Sequence, residues 1–216
     1  MTDFVTLRRM MVDTQVRPSD VTKFPIIDAM LRVPREAFVP DEAVDAAYAG
    51  RNIDLGDGRV VLDPRTFAKM LDALNVDGDD LVLDIGSGLG YSAAVIARIA
   101  EAVVAVEDDA ERAEEAQPLL MDHADNVIQH VGPLAEGAPQ HGPYDAIVIE
   151  GGIEQLPETI AGQLKDGGRI ACIFMDGALG TVKVGWKIDG TITWRFSFNA
   201  TAPVLAGFKN EVAFAL

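Results

Sequence analysis

Apolar and polar positions along this 216-residue chain change period several times, and each change predicts an element. Phe4, Leu7, Met10, Met11 and Thr14 recur at helical spacing, which predicts an amphipathic helix over residues 3–17, ending before Pro18. A second helix is expected from about Val21 to Leu31, capped by Ser19 or Asp20 and stopped by Pro34, and a short third over Asp41 to Ala47. Arg51 to Pro64 reads as irregular, with turn signals at Gly56, Asp57 and Gly58. Downstream, short apolar runs alternate with helical stretches. Helices are expected at Thr66–Leu74, Ser92–Ala100, Asp109–Met121 and Leu156–Leu164. Strands are expected at Leu81–Ile85, Ala102–Val106, Asn126–Val131, Tyr144–Ile149 and, after a Gly167-Gly168 turn, Arg169–Phe174. Such alternation predicts a parallel sheet covered on both faces. The tail switches to period two on both sides of Asp189-Gly190, a type I′ hairpin signal, with Trp186 and Trp194 expected together on its apolar face. A last strand is expected over Glu211–Ala215.

Between the strand Leu81–Ile85 and the helix that follows stands Asp84-Ile85-Gly86-Ser87-Gly88-Leu89-Gly90-Tyr91. Glycines on alternate positions allow positive φ in a sharp turn and let a ligand lie against bare backbone. A helix N-terminus then offers unpaired N–H groups. The dinucleotide fingerprint needs its third glycine where Tyr91 stands, so an NAD-dependent oxidoreductase ranks last. Glu107 closes the next strand, where an acid can accept both hydroxyls of a ribose.

Charge and composition narrow the partners. Against 34 acidic side chains stand 18 basic ones, a net charge of −16, which argues against an extended nucleic-acid footprint. Cys172, the only cysteine, sits in an apolar run and reads as a buried, inert thiol that excludes a disulfide or a cysteine-based metal cluster. His123, His130 and His141 read as loop or strand-end residues. No signal peptide and no apolar run of membrane-spanning length is seen, so a cytoplasmic protein is expected. The hydrophobic fraction of 49% supports a single domain: a helical extension over 1–50, a core over 51–180 and antiparallel strands over 181–216.

The D-x-G-x-G-x-G pattern resembles motif I of S-adenosylmethionine-dependent methyltransferases. A narrower resemblance rests on Asp13-Thr14-Gln15-Val16-Arg17, on Arg32-Val33-Pro34-Arg35-Glu36-Ala37-Phe38-Val39-Pro40, on Ala47-Tyr48, on Pro143-Tyr144-Asp145-Ala146-Ile147 and on Leu164-Lys165-Asp166-Gly167-Gly168-Arg169. Over about residues 8–175 the chain is similar to bacterial protein-L-isoaspartate O-methyltransferases. The resemblance implies an α/β Rossmann-like three-layer sandwich, mostly parallel, with C-terminal antiparallel strands. It implies S-adenosyl-L-methionine as cofactor, held by Asp84, Gly86, Ser87, Gly88, Gly90, Tyr91, Glu107, Asp108, Gly132, Pro133, Leu134 and Glu150. The acceptor it implies is a carboxylate of a damaged protein or peptide.

Two departures from the family pattern stand out. Aligned on Gly58 and Pro64, Leu62 stands where the family has a serine that touches the substrate carboxyl, and Val60 replaces a threonine. Pro133 takes the place of an acid near the adenine amino group. The altered loop gains Arg59 and Arg65, whose guanidinium groups are candidates to pair with an acceptor carboxylate. A small-molecule methyltransferase on the same scaffold, with a small carboxylic acid among its candidate acceptors, and a non-catalytic cofactor-binding or interaction module stand as alternatives. Glu150-Gly151-Gly152 follows the fourth strand where a nucleic-acid methyltransferase would carry an N-P-P-Y-like tetrapeptide.

Overall fold

A computed structural model describes residues 2–210. Seven strands form one sheet in the order β5-β4-β3-β6-β7-β8-β9: β3 (Leu81–Ile85), β4 (Ala102–Glu107), β5 (Val127–Val131), β6 (Tyr144–Ile153), β7 (Leu164–Asp176), β8 (Leu179–Ile188) and β9 (Thr191–Asn199). The pairs from β5 to β7 are parallel, and β7-β8 and β8-β9 are antiparallel. The chain leaves β3 in one direction for β4 and β5, then crosses back to β6. The crevice outside the carboxyl ends of β3 and β6 is therefore the switch point where α/β sheets bind ligands.

The helices are α1 (Phe4–Met11), α2 (Phe24–Arg32), α3 (Pro64–Leu74), α4 (Tyr91–Ala97), α5 (Ala110–His123) and α6 (Glu158–Gln163). The two faces of the sheet are covered unequally. One core joins Val82, Val103, Ala105 and Val148 to the apolar sides of α1 through α5. The other joins Leu83, Val104, Ile147 and Cys172 to α6, to the 3-10 turn at Leu134–Glu136, to Ala138, and to Leu205 and Phe208 of the tail. This second layer is thin, and the tail does part of a helix's work. Cys172 is fully buried, as its apolar run requires.

Several expectations need correction. The first helix does not stop before Pro18: α1 runs on through a π-helical turn (Val12–Val16) into a 3-10 turn (Arg17–Ser19), where Pro18 loses nothing by lacking an N–H. Asp20 adopts a left-handed conformation that ends this run, so α2 starts later, at Phe24, without a side-chain cap; Pro25 in its first turn presets the backbone instead. The Asp41–Ala46 turn is 3-10 rather than α.

Residues 51–64 are not irregular. They hold a two-stranded antiparallel hairpin of their own, β1 (Ile53–Gly56) and β2 (Arg59–Val61), closed by Asp57 and Gly58, both at positive φ. β6 continues past Ile149 to Ile153 because the tail pairs with it: the Gly152 N–H donates to the Pro203 carbonyl (2.8 Å) and the Leu205 N–H to the Gly152 carbonyl (2.9 Å).

Asp189 and Gly190 both take positive φ, as a type I′ turn demands, and pair Ile188 with Thr191. An irregularity at Val182/Lys183 sets Val182 opposite Phe198 but Lys183 opposite Phe196, which flips the alternation of β9. Nearer the turn the register is regular and sets Trp186 opposite Thr193 and Trp194 opposite Gly185, so the two tryptophans lie on opposite faces of the sheet, Trp186 with one core and Trp194 with the other, and Phe196 is exposed. The strand expected over Glu211–Ala215 lies outside the described residues.

Candidate functional site

The glycine loop leaves β3 and turns at once. Gly86, Gly88 and Gly90 all have positive φ, at 85°, 60° and 97°. The N–H groups of Gly86 and Ser87 donate to the Val106 carbonyl, which ties the loop to the end of β4. At that end sits Glu107. Its carboxylate accepts the Gly88 N–H at 2.8 Å, so the acid and the loop face the same crevice. The next loop is bound to the same point: the Gly132 N–H donates to the Glu107 carbonyl at 3.0 Å. Beyond it lies an open hollow of about 370 Å³ lined by Asp108, Gly132, Pro133, Leu134, Ala135, Ala206 and Gly207.

Behind the loop is a group of buried acids. Asp84 is fully buried and accepts the Ser92 hydroxyl at 2.6 Å, while its other oxygen has no partner. Burial pushes its carboxyl up to about 7, with the nearby Glu107 charge adding to the rise and Ser92 opposing it. Glu150, on β6, also keeps one buried oxygen without a partner, and burial with the Asp84 charge raises its carboxyl well above the usual range. Two buried acids with orphaned oxygens suit a ligand that brings a positive charge into the crevice.

The raised Asp84 carboxyl has a consequence for stability. Between its unfolded value near 3.8 and its folded value of about 7, the unfolded chain gives up the proton and the folded chain keeps it. The native state then binds more protons, so stability falls as pH rises through that window and levels off above it. Asp84→Asn cannot titrate. The unfolding free energy of the wild type relative to this variant is expected to fall between pH 4 and pH 7 in urea titrations. A difference constant with pH would contradict the assignment.

Glu107 behaves in the opposite way. Burial alone would raise its carboxyl, but the hydrogen bonds and charges of Arg59 and Arg112 outweigh burial and hold it below the usual range. Arg59 donates from both terminal nitrogens to the two Glu107 oxygens, each at 2.8 Å, and also to Asp108 at 2.5 Å. Arg112 of α5 adds a third guanidinium contact at 2.9 Å. The Arg59 pairing was not legible in the sequence, since Arg59 and Glu107 lie on elements remote in the chain.

The expected substrate-side residues separate. Arg65 is exposed on the first turn of α3. Arg59 is buried against Glu107 and Asp108. Leu62 is buried, and its carbonyl accepts from Arg35 at 2.8 Å. Arg35 carried no expected role. It is fully buried, donates also to the Ala47 carbonyl (2.8 Å), stacks 4.7 Å over the Tyr91 ring and keeps one nitrogen unpartnered. The Tyr91 side chain packs among Phe38, Phe67 and Arg35. His123 lies 5.5 Å from the Phe38 ring and His130 pairs with Gln140. Among the described residues no cluster of metal-ligating side chains occurs, and no helix is long and apolar enough to cross a membrane.

Comparison with known proteins places this geometry. The chain is 35% identical over 164 residues to the protein-L-isoaspartate O-methyltransferase of Pelotomaculum thermopropionicum, covering 76% of this chain and 72% of that one. It is 33% identical over 195 residues to that of Trichlorobacter lovleyi, covering 89% and 90%. A solved protein-L-isoaspartate O-methyltransferase superposes with a TM-score of 0.80 at 26% identity, over 94% of this chain and 65% of that one. A Plasmodium falciparum protein assigned to the same family, solved with S-adenosyl-L-homocysteine, shares the fold with a TM-score of 0.78 at 17% identity, over 95% and 99%. The sequence profile of protein-L-isoaspartate(D-aspartate) O-methyltransferase matches residues 8–180, and the chain belongs to that family.

Proposed function

We propose that the crevice outside β3 and β6 holds S-adenosylmethionine and that a carboxylate acceptor meets it from the side of Leu62 and Arg35. The chain is an O-methyltransferase of the S-adenosylmethionine-dependent kind, and its family acts on damaged proteins that carry isoaspartyl residues. One observation carries the placement of the site: the Glu107 carboxylate and the bare backbone of the glycine loop meet at the Gly88 N–H. In this reading Glu107 would take the ribose hydroxyls. Gly132, Pro133 and Leu134 would flank the base beside the open hollow, and Asp84 and Glu150 would face the positive end of the ligand. Pro133 offers apolar contact there, having neither an N–H nor an acceptor side chain.

The bound cofactor supplies an electrophilic methyl group on a sulfonium. The chain's own contribution is arrangement. A substrate carboxylate is already ionised near neutral pH, so no side chain has to remove a proton from it. What remains is to hold the acceptor in line and keep water out. Buried Leu62 contributes an apolar wall, and Arg35 fixes the backbone of that wall from within. Leu62 brings no hydroxyl to the acceptor, which favours a second reading in which a small carboxylic acid is taken as well.

Incubating the protein with methyl-labelled cofactor tests both readings, using an isoaspartyl peptide, its normal aspartyl counterpart and small carboxylic acids. Base-labile label in the isoaspartyl peptide alone supports repair of damaged protein. Label in small acids, with or without label in the isoaspartyl peptide, supports the second reading. Label in none of them contradicts both.

A further inference from the structure

The cradle assigned above to the cofactor is filled by the chain's own side chains. The five donor contacts on Glu107 come from Arg59 twice, Arg112, the Gly88 N–H and the Asp109 N–H. A carboxylate offers about four lone-pair sites, so none is left for a ribose diol. The bare face of the loop is covered as well. A Cβ at Gly86 would lie 3.1 Å from an Arg59 nitrogen, and one at Gly88 would lie 2.7 Å from Leu55. Leu55 and Arg59 both belong to the β1–β2 hairpin.

We propose that this hairpin is a built-in competitor for the cofactor: Arg59 holds Glu107 in place of the ribose, Leu55 covers the loop, and the hairpin must disengage before the ligand seats. The proposal rests on the reading of the crevice given above. Its support is that the crevice is closed on one side only. The hollow beside Asp108 and Gly132 is open, whereas the half nearer Gly86 and Gly88 is covered. Buried Ile53 and Val60 anchor the hairpin in the main core, while few polar contacts hold it over the crevice. It forms a sheet of its own, outside the seven-stranded one. Besides the Arg59 pairs, its neighbourhood is tied down by Arg112 on the Leu55 carbonyl (3.3 Å), by Asn52 on the Thr201 carbonyl (3.1 Å) and by the approach of Gly58 to Pro203. Removing the guanidinium therefore lowers the cost of opening, while Arg112 still compensates Glu107.

Calorimetric titration with S-adenosylhomocysteine reads this directly. Arg59→Ala is expected to bind on the order of tenfold tighter than the wild type, because less of the protein waits in the closed form. Equal or weaker binding by Arg59→Ala would overturn the proposal. A second variant leaves Arg59 in place. A Cβ at Gly58 would lie 4.0 Å from the Pro203 Cβ, within the range a disulfide bridges. In the Gly58→Cys/Pro203→Cys protein, oxidation pins the hairpin to the tail. Binding is expected to fall at least about tenfold and to return on reduction. The same affinity in both redox states would overturn the proposal while leaving the cofactor site standing. No heat from the wild type, from Arg59→Ala or from the reduced double variant at millimolar ligand would overturn the cofactor reading, and the hairpin's role with it.

Discussion

Replacing Glu107 by alanine is expected to lower the unfolding free energy by about 3–5 kcal/mol, the usual cost of stranding a buried charge. Arg59 is 4% exposed and Arg112 10%, and both lose their shared partner. Asp108 remains for Arg59, but it is itself 31% exposed and pairs through one oxygen. Urea denaturation measures the loss. The double variant Glu107→Ala/Arg59→Ala is expected to lose less than the sum of the two single variants, since the charge left unpaired in each is then absent. Glu107→Ala within about 0.5 kcal/mol of the wild type would mean that the buried cluster contributes nothing to the fold. The same variant is expected to bind S-adenosylhomocysteine far more weakly, even though the competing guanidinium has lost its anchor. Loss of stability and loss of ligand together mark Glu107 as the point where fold and site share one group.

Arg35→Ala is the second large effect. The side chain is fully buried and donates to two backbone carbonyls, Ala47 and Leu62, from Nε and Nη2. Truncation leaves a cavity beside Tyr91 and orphans both carbonyls. The expected cost is about 3–5 kcal/mol, comparable to deleting a large core aromatic. Arg35→Lys is expected to recover little of it, because a single ammonium cannot span two carbonyls that the planar fork reaches together. Thermal and urea unfolding of the two variants check this. Full recovery by lysine would show that charge alone, and not the fork, holds the Leu62 backbone.

The parts of this protein legible in its sequence are those specified locally. β3 and the glycine loop are set by one apolar run and three glycines, and β4 by an apolar run that ends on Glu107. The β8–β9 turn is set by Asp189-Gly190. What could not be read depends on residues far away in the chain. β1 and β2 are four and three residues long, too short for alternation to show, and only the Asp57-Gly58 turn between them gave a signal. The β6 extension needs Pro203 and Leu205, and the turning of Phe198 onto the face of Val182 needs an irregularity that no composition announces. Arg59 illustrates the limit best. Its place beside Leu62 suggested an acceptor-binding cation, whereas β2 turns it towards Glu107, 48 positions on. Leu62, expected on the acceptor loop at the place of a serine, is buried, and its carbonyl accepts from Arg35, a partner that the sequence did not announce.

A crystal structure of the protein grown with S-adenosylhomocysteine decides whether Glu107 and the glycine loop hold the cofactor. The ribose hydroxyls are expected within hydrogen-bond distance of both Glu107 oxygens, the base in the hollow beside Gly132 and Leu134, and Arg59 withdrawn from Glu107. Ligand bound elsewhere, with the Arg59–Glu107 pair intact and Leu55 still against Gly88, would contradict that placement.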